Sequence, residues 1–288
     1  MLLSWVVRMA PLQEAVIPAD QGRAAHSLFL DWVRQADADL AQDLHDDEGR
    51  KPFTVSDLRG VARTRQGELI LMPHRPLWWR VTTLTPQLSQ ITLEQIRPAL
   101  PAQLTLAGQP FQVLESIVNS REHPWAGQTS YEELAQDHLL GAREPAPWLN
   151  LEFVTPTTFH SAGKHLPFPA PGLVCDHWLG KWNSFAPLTL HPEVKRFAEE
   201  CLAVNWYRLQ SQTVRFGPAT LIGFTGRCSF RALRRDPYWL RLLHTLAAYA
   251  FYCGTGHKTT MGLGQTRRSA KPKVQTPSSK SGGTNETD

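Results

Sequence analysis

The eleven residues from Gly254 to Gly264, GTGHKTTMGLG, constrain this chain more than any other segment, because four of them are glycine and they directly follow a long apolar helical pattern. Glycines clustered after a helix serve a backbone that must turn with positive φ or lie close against something. Two familiar phosphate cradles fail here. A dinucleotide fingerprint needs its third glycine where Thr259 stands, and its loop opens a helix instead of leaving one. A P-loop needs a glycine before its lysine and a helix N-terminus beneath it, whereas His257 precedes Lys258. Two readings remain. One is a helix cap followed by a flexible hairpin. The other, favoured by the density of the string, is a loop in which Gly254, Gly256, Gly262 and Gly264 allow close backbone approach while His257, Lys258, Thr259 and Thr260 present a charge and hydrogen bonds to an anion such as a phosphodiester.

The order of elements ahead of this loop repeats. The chain opens with a strand-like alternation of Leu3, Trp5, Val7 and Met9. A helical face follows, made by Ala25, Leu28, Phe29, Trp32, Val33 and Ala36, and Asp37 is placed to cap a short second helix. KPFTVSDL, GELILMP, PLWWRVTTLT and FQVLESIVN read as strands and connections, and LSQITLEQIRPAL as a helix. The segment 127–147 mixes polar helical and Pro-rich composition and reads as a linker. Beyond it, LNLEFVTPT alternates as a strand, HPEVKRFAEECLAVNWYRL reads as an amphipathic helix, and TLIGFTGRCSFRAL alternates again. Asp236 and Pro237 then open a long final helix that stops at Gly254, where a left-handed cap would sit. Strand, helix, strand, strand, helix, strand, occurring twice, predicts an α+β chain of two tandem ferredoxin-like (RRM-like) domains with antiparallel sheets. The expected boundaries are 1–126, a linker at 127–147, 148–268, and a disordered low-complexity tail at 269–288.

Whole-chain charge says little about a polyanionic partner. Of the net +4, the residues from Thr266 to Asp288 supply five basic and two acidic side chains, hence +3. Any such surface must come from local clustering, and Arg227, Arg231, Arg234 and Arg235 provide it, with Arg227, Ser229 and Arg231 on one strand face. Cys175, Cys201, Cys228 and Cys253 form no CxxC pair and read as buried reduced thiols. The ten tryptophans read as core, with base-stacking platforms as the alternative. No apolar run approaches the ~20 residues that span a bilayer, so a cytoplasmic protein without membrane contact is expected.

The glycine-rich string resembles the hallmark loop of the CRISPR repeat-processing endoribonucleases, within the wider repeat-associated RNA-binding superfamily, where it lies between the last helix and last strand. GRAAHSLFLDWV, ADLAQDLHD and KPFTVSDL are similar to the family's first helix, its Leu-His dipeptide and its Lys-Pro-Phe-Thr strand. LNLEFVTPTTF is similar to the opening of its second domain. The resemblance implies metal-independent cleavage of CRISPR precursor RNA, with a 2'-hydroxyl attacking the adjacent phosphorus to leave a 5'-hydroxyl and a cyclic or open phosphate. It implies no cofactor. The partner is CRISPR repeat RNA, with a CRISPR effector complex as a further one, and the chain would act as monomer or homodimer.

Such chemistry needs a base, an acid and positive charge near the phosphate. His45 stands in the family's Leu-His context, and the resemblance gives it the catalytic role. His26, in the first turn of the first helix, is the second candidate. A helix N-terminus favours neutral imidazole and a C-terminus the cation, which makes His26 the better base and His45 the better acid or phosphate ligand. Lys51 is placed to neutralise charge on phosphorus, its alternative being a solvated loop lysine. The family's first-helix tyrosine has no counterpart in SLFLDWV, so its three-residue site is not reproduced. Two further functions compete: a non-catalytic RNA-binding subunit of an effector complex, and a metal-dependent nuclease built on Asp46, Asp47 and Glu48. The histidine pair speaks against the first. The second requires more clustered carboxylates than the chain offers, and no metal site is expected.

Overall fold

The computed structural model describes residues 1–270 except positions 48, 142, 162, 217 and 218. Residues 271–288 of the expected disordered tail lie outside these, as does Glu48 of the acidic run. The amino-terminal half runs β1 (Leu2–Pro11), β2 (Ala15–Ile17), α1 (Gly22–Ala36), α2 (Ala38–Asp46), β3 (Phe53–Val55), β4 (Ala62–Arg63), β5 (Leu69–Leu71), β6 (Leu77–Thr83), α3 (Pro86–Ile91, continued by a wider turn to Ile96), β7 (Gln103–Leu106), β8 (Gln109–Ile117), β9 (Gly127–Thr129) and α4 (Tyr131–Leu139). The other half runs β10 (Trp148–Thr157), β11 (Phe159–Ser161), β12 (Lys164–Leu166), α5 (Pro171–Phe185), α6 (Glu193–Cys201), β13 (Leu202–Phe216), β14 (Ala219–Ala232), α7 (Pro237–Cys253) and β15 (Thr266–Arg268).

Each half is an antiparallel sheet with helices on one face, the tandem ferredoxin-like arrangement expected. In the first sheet the order is β3-β6-β1-β8-β7, with β9 also pairing β1; in the second it is β13-β14-β10-β15. The alternation along β1 puts Leu3, Trp5, Val7 and Met9 into the core beneath α1, where they meet Phe29, Trp32 and Val33. Asp37 caps α2 by accepting the Leu40 amide at 2.9 Å, and Asp236 caps α7 by accepting the Tyr238 amide at 3.0 Å. Trp5, Trp32, Trp79, Trp178 and Trp182 fill the two cores, and the four cysteines are buried free thiols. Among the described residues no helix is long and apolar enough to cross a membrane.

Three expectations are corrected. The segment 127–147 is not a plain linker: β9 extends the first sheet, and α4, closed by a Ser130/Glu133 capping box, buries Tyr131 in the second core. The helix read through Leu209 ends at Cys201, because the following residues pair with β14 along a long hairpin that outcompetes their helical periodicity. Helix α5 forms where the sequence pattern predicts no element. Gly254 takes φ +67 and ψ −171, a positive φ with extended ψ in place of the left-handed cap.

The first sheet and the second half of the chain meet in a seam pinned by Arg80 of β6, which is 1% exposed. Its guanidinium donates to the Ser4 hydroxyl, the Trp125 and Phe251 carbonyls and the Gln265 side chain, and lies 4.4 Å from the Phe251 ring centroid. Burial pulls Arg80 down to about 9, against the opposing influence of Tyr252 and Cys253, so it remains charged near neutral pH. Thr82 adds a 2.6 Å bond to the Tyr252 carbonyl. Arg80→Met strands these acceptors in the seam and lowers the unfolding free energy by about 3–5 kcal/mol. Urea denaturation measures it, and a loss below about 1 kcal/mol contradicts the pinning role.

Candidate active site

Strand β3 is an edge strand, and its unpaired backbone invites a partner. The glycine-rich loop supplies one: Gly262 bridges Ser56 in parallel just past β3, and Gln265 donates to the Val55 carbonyl at 3.2 Å. At Gly22, the first residue of α1, a Cβ would overlap the Met261 carbonyl oxygen, so α1 and the loop approach as closely as glycine allows. Asp57, the carboxylate beside Gly262, is already engaged by Arg59 and Arg63.

The loop is largely buried, which excludes the flexible hairpin. Thr255 donates its amide to Gly264 O at 2.8 Å, His257 to Thr158 O at 2.7 Å, Met261 to Lys258 O at 2.9 Å and Gly264 to Pro156 O at 3.1 Å. Behind it, the buried Lys181 of α5 donates to the Cys253 carbonyl and the Thr259 hydroxyl, each at 2.7 Å, and Trp178 donates to the Thr255 hydroxyl at 2.8 Å. The expectation that the glycines open the backbone to an anion is therefore corrected in part. Gly256 (φ +83) lies against the Thr158 carbonyl and Gly264 (φ +69) against the Thr255 carbonyl, so their close approach is to the chain itself. The half-buried side chains of His257, Lys258 and Thr260 remain at the surface, and Thr259 is buried.

His26 sits in the second turn of α1, one turn later than expected, with Nδ1 3.0 Å from the Thr260 carbonyl and its ring stacked on Phe53 at 5.4 Å. A carbonyl only accepts, so Nδ1 carries the proton and Nε2 keeps its lone pair. Burial lowers the His26 pKa; the Thr260 bond opposes this, and Lys51 and His45 reinforce it through their charge. The neutral form was expected from the helix N-terminus, but burial is the larger cause. His45 is exposed in the last turn of α2, bordering a hollow of ≈ 400 Å³ between α1 and α2. Lys51 donates to the Leu44 carbonyl at 2.6 Å and to the Asp47 carbonyl, closing the C-terminus of α2. It is thus a capping lysine as well as a charge acting on His26, and not a solvated one.

The expected arginine stripe does not join this site. Arg227 is paired with Glu152 at 2.9 Å, and Glu152 also takes Arg267 at 2.7 Å; burial of that carboxyl is outweighed by the two arginines, which hold it below its ordinary value. Arg231, Arg234 and Arg235 are exposed around the N-terminus of α7, whereas the loop leaves its C-terminus. A helix of 17 residues separates those ends by ~25 Å. Sequence reading also missed His160, His165 and Lys181, which touch the loop from distant elements, and His177 and Arg50 beside them. Among the described residues no three His, Cys, Asp or Glu side chains are arranged to hold a metal.

Two family models match the chain: CRISPR Cas6 N-terminal domain over residues 1–136, and CRISPR-associated endoribonuclease Cas6 over residues 151–266. A CRISPR-associated endoribonuclease Cas6 of Mycobacterium tuberculosis is 25% identical over 260 residues, covering 90% of this chain and 74% of that relative. A solved Cas6 product complex is similar with TM-score 0.77 and 28% identity, over 93% of this chain and all of the other. Thermus thermophilus Cas6 is similar with TM-score 0.70 and 27% identity, over 93% of this chain and 98% of its own. The tautomer and burial of His26 are directly measurable. Its imidazole ¹⁵N shifts will report an Nδ1–H ring titrating below its ordinary value of 6.5, and a midpoint at or above that value contradicts the geometry.

Proposed function

The chain belongs to the CRISPR-associated endoribonuclease Cas6 family, and from this we propose that His26 and His45 carry the proton transfers by which it cuts its RNA. It is an endoribonuclease that processes CRISPR repeat RNA. In the proposed reaction, Nε2 of His26 takes the proton of a 2'-hydroxyl. That oxygen forms a bond to the adjacent phosphorus, and the bond from phosphorus to the 5'-oxygen breaks. His45 gives its proton to the leaving oxygen, so the products are a 2',3'-cyclic phosphate and a 5'-hydroxyl. Lys51 supplies positive charge from the end of α2. No step requires a metal ion.

The observation that carries this is the bond from His26 to the Thr260 carbonyl, because it selects the tautomer with a free lone pair at Nε2 and couples that ring to the loop. Residues 1–126 would then carry the acid and base, and residues 148–268 the loop that positions them. Loss of either imidazole removes a proton-transfer partner, so His26→Ala and His45→Ala each slow single-turnover cleavage by about 10²–10⁴-fold. Cleavage of a repeat transcript by the unmodified protein continues in EDTA. A base with a lowered pKa stays neutral above that pKa, so the acidic limb of the rate profile lies below 6.5. Full activity of the His26 variant, or complete arrest by EDTA, refutes the assignment.

A further inference from the structure

Three imidazoles meet on the loop at His257, three residues from the carbonyl that holds His26. His160 of β11 and His165 of β12 are register partners with ring centroids 5.2 Å apart, and His257 lies 5.9 Å from the first and 5.6 Å from the second. The Thr158 carbonyl, which takes the His257 amide, fixes the hairpin to the loop. His160 and His165 are exposed and His257 is half-buried, so the trio opens to solvent. Behind it, on α5, the Nδ1 atom of His177 is buried and has no hydrogen-bond partner among the described residues.

The charge around this trio is of one sign. The groups acting on His257 are Lys258 of its own loop, His165 of β12 and His160 of β11. Those acting on His177 are Lys181 of α5, Arg50 from the segment after α2, and His257. None is a carboxylate. Arg50 adjoins Lys51, whose charge acts on His26, so basic groups run from the catalytic pair to the hairpin. Ring nitrogens grouped without acids attract an anion, and the absence of a converging metal-donor set among the described residues speaks against a cation.

We propose that His160, His165 and His257 form a second phosphate-binding site for the RNA substrate, beside the scissile position and on the same loop. It rests on the reading that RNA is cut next to Thr260. Burial, then Lys258, His165 and His160, hold His257 down to about 4, so that it is neutral near pH 7 in the free protein. A phosphate placed against the trio favours the charged form of His257 and so opposes the lowering of its pKa. RNA binding therefore takes up protons, and affinity rises as pH falls.

The test measures binding of a labelled repeat transcript in EDTA, in a His26→Ala/His45→Ala background so that turnover does not intrude. Affinity is expected to be higher near pH 6 than near pH 8. Adding His160→Asn and His165→Asn should cost about tenfold near pH 6, with a smaller loss near pH 8. Equal affinity of the two proteins near pH 6 overturns the site. So does trio-dependent binding that requires added Zn²⁺ and strengthens with rising pH, the mark of a metal site. Cutting of the transcript in that background would refute the catalytic assignment alone, while the affinity comparison still decides the trio.

Discussion

Gly22 brings the N-terminus of α1 against the Met261 carbonyl, and the rest of the site is built on that closeness. A side chain there would hold helix and loop apart, and the Thr260 carbonyl would no longer reach the His26 ring one turn further on. The contact is made between opposite ends of the chain. Its orientation is maintained by polar groups that reach across the seam, with Arg80 and Gln265 at the centre and the loop laid along the edge next to β3. An arginine held by neutral acceptors and two aromatic rings, without a carboxylate partner, suits such a place: its bonds are directional, and the two halves must be in register for all of them to form.

The proposed chemistry follows from what this packing does to one imidazole. Burial and two nearby basic groups favour the neutral ring, and the carbonyl decides which nitrogen carries the proton. In the proposed reaction the base is thus prepared with no carboxylate among the described residues to orient it, the role that an acidic residue plays in many catalytic histidine sites. The carboxylate beside Gly262, Asp57, forms ion pairs with Arg59 and Arg63. The surroundings left for a substrate phosphate are basic.

Much of this arrangement is legible in the chain itself. The alternation in β1, the Asp37 and Asp236 caps and the glycines after α7 are local signals, and local physics is enough to read them. Helix α5 is hidden because Val174, Cys175, Trp178, Lys181 and Trp182 are all buried, leaving little polar face to give a helical period. Strand β13 is hidden for the opposite reason: an amphipathic helix runs straight into it, and only pairing with β14 ends the helix at Cys201. The histidines on α1 and α2 stand out by their positions, yet what the glycines approach is a tertiary fact. Gly256 and Gly264 lie against the chain's own carbonyls, at Thr158 and Thr255, and Gly22 of α1 lies against that of Met261. The arginines after β14 illustrate the converse, since a cluster plain in sequence lies at the far end of α7 from the loop.

Gly22→Ala tests the closeness directly, since the added methyl group must push the Met261 carbonyl away without touching either imidazole. Single-turnover cleavage is predicted to fall by about tenfold or more, because small displacements of a catalytic group cost rate steeply. The His26 ring should at the same time lose its fixed Nδ1–H tautomer in ¹⁵N spectra. An alanine variant that cuts RNA at the parent rate, with the tautomer retained, would show that the loop does not set the base.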